Sequence, residues 1–141
     1  MEIHPPADVI VVAVHLQNAL AAIDPERPDQ PLAEFISSGE KPHLSPYAAL
    51  EYSPRLQQLV YYSARDKASV YCVEVHDGAH WRQITAADSL DPIADAARQS
   101  SFEVNRAHTF GRFRIASFAD FDLAILVRHV DTPVYAMRLP D

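Results

Sequence analysis

The sequence predicts a single α+β domain in which N-terminal helices pack on a mainly antiparallel sheet formed by about residues 68–139. The chain of 141 residues is 48% hydrophobic and 22% charged, a balance typical of one globular domain. Apolar residues recur at helical spacing in the first half, whereas they alternate with polar residues in the second half. No repeat or linker divides the sequence, so residues 1–141 are interpreted as one domain.

Residues 6–23 predict the first helix. Their length suits a helix, and alanine, the best helix former, is frequent near the end of the segment. The β-branched residues among positions 9–12 instead favour a strand. A helix is the preferred interpretation, and a strand over residues 9–14 remains the alternative. The helix would place five apolar side chains on one face: Val9, Val12, Leu16, Leu20 and Ile23.

Residues 24–47 contain five prolines and predict a long connection. Pro31 is suited to begin a short helix over residues 31–38, and Gly39 is suited to end it. Long connections of this kind are either functional lids and binding loops or surface crossings that prolines hold in place. The surface crossing is the preferred interpretation.

Residues 53–64 predict a second helix, because Ser53 is a good N-cap and Pro54 suits the first helical position. A later helix is predicted over residues 91–99. Alternation of apolar and polar residues predicts six strands in the second half, over residues 69–75, 79–84, 101–105, 112–117, 121–130 and 133–139. A turn at residues 131–133 would pair the last two of these strands antiparallel.

An Asp-Gly dipeptide within residues 76–78 predicts a hairpin between two of these strands. A three-residue loop, with the glycine at position 78 in the left-handed conformation, places Val73 opposite Trp81 and Glu74 opposite His80. A two-residue loop would instead place Glu74 opposite Trp81. The first register is preferred because it keeps the apolar residues together on one face and the polar residues together on the other.

The polar face of this hairpin raises the question of a metal site. Cys72, Glu74 and His80 are metal-ligand types, and they would share that face with Arg82. The cationic arginine disfavours a divalent ion, and the spacing follows no zinc pattern. Cys72 lies in mid-strand, where a cysteine is usually a small buried apolar residue rather than a nucleophile. We therefore expect a structural hairpin and no metal or other cofactor.

Residues 105–114 form the strongest candidate site, because arginines, a histidine and aromatic residues surround one glycine. Three arginines would bind a phosphate or carboxylate: Arg106, Arg112 and Arg114. His108 or Tyr47 would be the group that transfers a proton. The alternative is a hairpin whose arginines face solvent and pair with the surplus acidic side chains.

Charge and composition narrow the functional classes. The net charge is −7, which argues against binding of duplex nucleic acid. No apolar run approaches the roughly 20 residues of a membrane-spanning helix, and a single cysteine fits a soluble cytoplasmic protein. The acidic first half favours a small binding or regulatory protein, of the inhibitor or immunity type, that covers a basic surface of a partner protein. The alternative is a small enzyme or ligand-binding protein that acts on a phosphate- or carboxylate-bearing molecule, such as a nucleotide, through the Arg/His site.

Overall fold

The computed structural model describes residues 2–4, 9–30, 33–45, 48–63, 69–84, 113–127 and 134–140. All regular secondary structure in these residues is β-strand, so the prediction of an α+β fold with N-terminal helices is wrong. The described strands are β1 (Glu2–His4), β2 (Val9–Val14), β3 (Ala19–Ile23), β4 (Ala33–Glu34), β5 (Ser37–Gly39), β6 (Ala49–Ser53), β7 (Gln58–Ser63), β8 (Ser69–Val75), β9 (Ala79–Gln83), β10 (Phe113–Ser117), β11 (Asp122–Val127) and β12 (Val134–Arg138).

These strands form three sheets. The first has the order β1-β2-β3-β4, the second β5-β9-β8-β7-β6, and the third β10-β11-β12. Neighbouring strands are antiparallel except for β5, which runs parallel to β9. The antiparallel pairing predicted for the second half is present, but it is divided between two sheets, and the first half of the chain contributes strands as well.

Residues 9–23 form a hairpin of β2 and β3 instead of the predicted helix. The turn between the strands contains Asn18 at φ 52°, and the Asn18 N–H donates to the His15 carbonyl over 3.1 Å. Leu16, which the helical pattern placed on the apolar face, lies in this turn and is 88% exposed. Helix propensities differ by less than about 1 kcal/mol per residue among ordinary residues, so strand pairing and burial outweigh the alanine content.

Residues 53–63, predicted as a helix, instead contain the turn and the second strand of a hairpin between β6 and β7. Ser53 does accept a hydrogen bond from the Leu56 N–H, over 3.2 Å, as an N-cap would. The turn is short, however, and Gln57 at φ 53° directs the chain into β7. Residues 59–62 are all fully buried, which requires packing on both faces of the segment and suits a central strand better than an amphipathic helix.

The segment of residues 33–39 also differs from the structure predicted by the sequence. Residues 33–39 contain the short strands β4 and β5, so the helix predicted over residues 31–38 is wrong. Gly39 has φ 79°, but it ends a strand rather than a helix. The helix predicted over residues 91–99 and the strand over residues 101–105 lie outside the described residues.

The five-stranded sheet is the central layer, because it buries side chains on both faces. One face packs against the three-stranded sheet, and Tyr62 stacks there on Phe113 with ring centroids 5.4 Å apart. The other face packs against the four-stranded sheet, whose Val11 and Leu20 share one core with Tyr61 and Trp81 of the central sheet. Alternation along β7 and β8 therefore supplies both cores from consecutive residues.

A buried polar contact also joins the central and three-stranded sheets. The Ser53 hydroxyl at the end of β6 donates to the carboxylate of Asp122 at the start of β11, and both residues are buried. The Asp122 carbonyl accepts the Leu139 N–H over 2.9 Å, which ties the end of the chain to β11. The Ser53 hydroxyl satisfies Asp122 Oδ2, whereas the buried Oδ1 has no hydrogen-bond partner among the described residues.

Candidate functional site

The hairpin of β8 and β9 has the register preferred from the sequence. Val73 lies opposite Trp81, Glu74 lies opposite His80, and Trp81 is buried in the core. Gly78 does not adopt the expected left-handed conformation, since Gly39 alone among the described glycines has a positive φ. A glycine suits position 78 for another reason: a Cβ atom there would lie 2.8 Å from the Ile36 carbonyl oxygen.

This close approach brings β5 beside the polar face of the hairpin. In the parallel pairing of β5 with β9, Ser38 lies opposite His80. The Ser38 Oγ is 2.6 Å from His80 Nδ1, and His80 Nε2 is 3.2 Å from an Asp77 carboxylate oxygen. The hairpin and β5 together therefore form a hydrogen-bonded chain of a serine, a histidine and an aspartate.

The hydrogen-bonding chemistry of these three groups determines which ring nitrogen of His80 carries the proton. An ionised Asp77 carboxylate only accepts hydrogen bonds, so the proton of a neutral His80 ring resides on Nε2. The Nδ1 atom is then an acceptor, and the Ser38 hydroxyl donates to it. The hydrogen bond from His80 lowers the pKa of Asp77, which keeps this carboxylate ionised at neutral pH. The order of hydroxyl, imidazole and carboxylate is that of a catalytic triad, with the roles of the two ring nitrogens exchanged.

The three residues considered as metal ligands have separate environments. Cys72 is buried between the sheets, Glu74 accepts a hydrogen bond from His76 Nε2 over 2.7 Å, and His80 contacts Ser38. Within the part of the chain that the structure describes, no three histidine, cysteine, aspartate or glutamate residues form a group suited to a metal ion. Glu74 and His80 therefore take part in separate hydrogen bonds rather than in a shared site.

The reactivity of the Cys72 thiol tests whether this side chain is buried between the sheets. Burial raises the pKa of its thiol to about 11, and the Arg82 charge only partly opposes that effect. We expect Cys72 in the folded protein to resist a disulfide reagent at pH 8, and the denatured chain to release one equivalent of thiolate product. Rapid labelling of the folded protein would contradict the burial. Because the folded pKa lies above the ordinary thiol value of 9.0, this group's contribution to stability is present below pH 9 and is lost as the pH rises towards 11.

Of the residues proposed for anion binding, Arg114 is described. It lies in β10, and its Nη1 atom is 2.7 Å from the Glu51 carboxylate on β6. An arginine paired with an acidic side chain is the alternative considered for this segment. The other proposed residues lie outside the described residues, and their roles stay predictions: Tyr47, Arg106, His108 and Arg112.

Sequence reasoning did not identify Ser38 as a candidate residue. Ser38 lies in the proline-rich segment that was interpreted as a surface crossing, and no short motif surrounds it. It reaches His80 only because β5 adds to the edge of the central sheet beside β9. A parallel pairing of strands so distant in sequence has no local signal in composition or periodicity.

Comparisons with protein-family models, with curated proteins and with solved structures find no match for this chain. A search of the described residues finds no helix with the length and apolar character needed to cross a membrane. The functional proposals therefore rest on the residues and contacts of this chain alone.

Proposed function

We propose that this protein is a small binding or regulatory protein, of the inhibitor or immunity type, that covers a basic surface of a partner protein. The proposed contact surface is the acidic segment, defined as residues 24–40, which runs from the end of β3 to the residue after β5. It carries five acidic side chains: Asp24, Glu26, Asp29, Glu34 and Glu40. Arg27 is its one basic residue.

Arg27 forms an ion pair with an acidic residue of the same segment. Its Nε atom is 2.9 Å from the carboxylate of Asp24, which also accepts the Glu26 N–H over 2.9 Å. The Glu26 N–H and then the Arg27 side chain lower the pKa of Asp24, so this acid is ionised at neutral pH. Since Arg27 pairs with Asp24, the acidic segment has no other basic side chain to pair with its exposed acids, Glu26, Asp29, Glu34 and Glu40. Such a surface attracts cationic partners over about a Debye length.

The exposure of Ile36 is the observation that most favours a protein partner. Its side chain is 82% exposed, and it lies between the exposed acids Glu34 and Glu40 of the acidic segment. An exposed apolar side chain with acidic residues on either side of it in the sequence resembles part of a protein interface. The expected partner therefore presents an apolar recess surrounded by lysine or arginine side chains.

Partner capture followed by kinetics tests this function. The intact protein is used to capture proteins from a lysate of its source at low salt, and the captured protein is identified and purified. We expect a basic protein whose association rate constant falls about tenfold or more between about 0.1 M and 1 M salt. Charge reversal of Glu34 and Glu40 to lysine should slow association, whereas Ile36→Ser should mainly speed dissociation.

Asp120→Lys is the matched control, because Asp120 is exposed in the turn between β10 and β11, outside the acidic segment. This variant should associate at close to the wild-type rate. An acidic partner, an association rate that is independent of salt, or an equal loss in the Asp120 variant would contradict the proposal.

A further inference from the structure

We propose that Ser38 is an activated nucleophile that accepts the acyl group of uncharged carboxylic esters, with His80 as its general base and Asp77 as a positioning residue. Ser38 lies within the acidic segment, but the activity uses neither the acidic side chains of that segment nor Ile36. A test on the free protein can therefore fail without the failure of the proposed partner binding. It rests on the hydrogen-bonded chain that joins Ser38 Oγ, the two ring nitrogens of His80 and the Asp77 carboxylate.

The strand pairing holds the nucleophile in place. The Ala79 N–H donates to the Ile36 carbonyl over 2.9 Å, and the Glu40 N–H donates to the Trp81 carbonyl over 3.0 Å. These bonds lie on either side of Ser38, so the backbone of Ser38 is fixed beside His80. A general base that is already in hydrogen-bond contact with its hydroxyl needs no rearrangement to remove the proton.

The reaction balances with groups present on the protein and with water. Ser38 Oγ bonds to the ester carbonyl carbon while its proton moves to His80 Nδ1. The bond between that carbon and the alkoxy oxygen then breaks, and the alcohol leaves with the proton from His80. A leaving group that departs as its anion instead leaves that proton on His80, which releases it to water before the second stage. In the second stage a water molecule attacks the acyl carbon and gives a proton to His80. The carboxylic acid departs, and Ser38 Oγ recovers its proton.

The charges around the serine define the class of ester. Glu74 lies opposite His80 in the hairpin, and Asp77 is 90% exposed beside the histidine ring. These two carboxylates repel an anionic substrate and leave neutral esters as the favoured class. His80 is itself about half exposed, so water reaches the site and can complete the hydrolysis.

The experiment uses the full-length protein and p-nitrophenyl acetate. We expect a burst of p-nitrophenolate of about one equivalent, and peptide mapping should place the acetyl group on Ser38. Ser38→Ala should remove the burst and the label. His80→Gln should reduce the rate constant of acetylation by about 100-fold or more, the scale expected for a general base.

Matched variants separate catalysis from structure. Ser37→Ala removes the neighbouring hydroxyl, which is buried, and should leave the burst unchanged. His76→Gln removes the other histidine of the hairpin, which pairs with Glu74, and should also leave it unchanged. Asp77→Asn should slow acetylation several-fold, and Asp77→Glu should restore part of the rate because the carboxylate is regained.

Three outcomes would overturn the proposal. The burst could be absent from a wild-type protein that is folded by circular dichroism. The acetyl group could map to a residue other than Ser38. The rate constant for Ser38 could be the same in wild type and His80→Gln, which would show that the histidine removes no proton.

Discussion

Replacing Gly39 with alanine should lower the free energy of unfolding by about 3 kcal/mol or more. Gly39 has φ 79°, a conformation that costs a residue with a side chain about 1–3 kcal/mol. An added Cβ would also fall far inside contact distance of the Trp81 carbonyl oxygen. That oxygen accepts the Glu40 N–H, and losing a hydrogen bond of this kind costs about another 1 kcal/mol.

The same substitution should uncouple the candidate site from the central sheet. Relief of the contact with Trp81 requires β5 to move away from β9, and Ser38 lies on β5 next to Gly39. We therefore expect Gly39→Ala to lose the acetylation of Ser38 even at temperatures where the rest of the protein remains folded. Stability and acetylation would then report the same displacement of one strand.

Urea unfolding followed by the fluorescence of Trp81, the single tryptophan and a buried one, measures the first effect. Gly78→Ala is the graded comparison. Its Cβ would approach the Ile36 carbonyl at 2.8 Å, but Gly78 has no positive φ, so the loss of stability should be smaller. A Gly39→Ala protein that unfolds at the wild-type urea midpoint would contradict the described pairing of β5 with β9.

The strands of the second half were predictable because their signals are local. Alternation in residues 121–127 predicts a strand, which is present, with Phe121, Leu123, Ile125 and Val127 on its apolar face. The face assignment is wrong, because Asp122, Ala124 and Leu126 on the opposite face are the buried residues. The turn at residues 76–78 and the same alternation were enough to fix the register of Val73 with Trp81. Pattern and turn chemistry agree at this hairpin, so no distant contact is needed to predict its register.

The helix predicted over residues 53–64 is wrong because a fully buried strand has no polar face. Residues 59–62 are apolar or aromatic at every position, since β7 has a sheet neighbour on each side and a layer against each face. Such a run is as compatible with a buried helix as with a strand. The Ser-Pro pair at residues 53–54 is typical of a helix start, but in the structure this pair begins only a turn.

Only part of the candidate site could be predicted from the sequence, because one of its residues lies on a distant segment. His80 was assigned correctly to the polar face of the hairpin, because that face follows from register. Its partner Ser38 comes from a segment where prolines suppress regular periodicity. Contacts that arise from addition of a short edge strand depend on the packed sheet, and sequence propensity carries no information about them.

Replacing Phe113 with alanine should cost about 3–5 kcal/mol, the usual range for a buried phenylalanine. Phe113 is fully buried and stacks on Tyr62 of the central sheet, so its removal opens a cavity between β10 and β7. Phe118→Ala is the matched control. Phe118 stacks on Phe121 but is 52% exposed, so its loss should cost about 1 kcal/mol or less.

The position of Phe113 makes this experiment a test of the three-layer arrangement. Phe113 lies in the core beside the three-stranded sheet, whereas Trp81 lies in the core on the other face of the central sheet. If the layers unfold cooperatively, Phe113→Ala should lower the urea midpoint equally by Trp81 fluorescence and by circular dichroism. The central strands β7 and β8 contribute side chains to both cores, which is the physical reason to expect one transition. A loss of stability no larger than that of Phe118→Ala would contradict the packing of the three-stranded sheet on the central sheet.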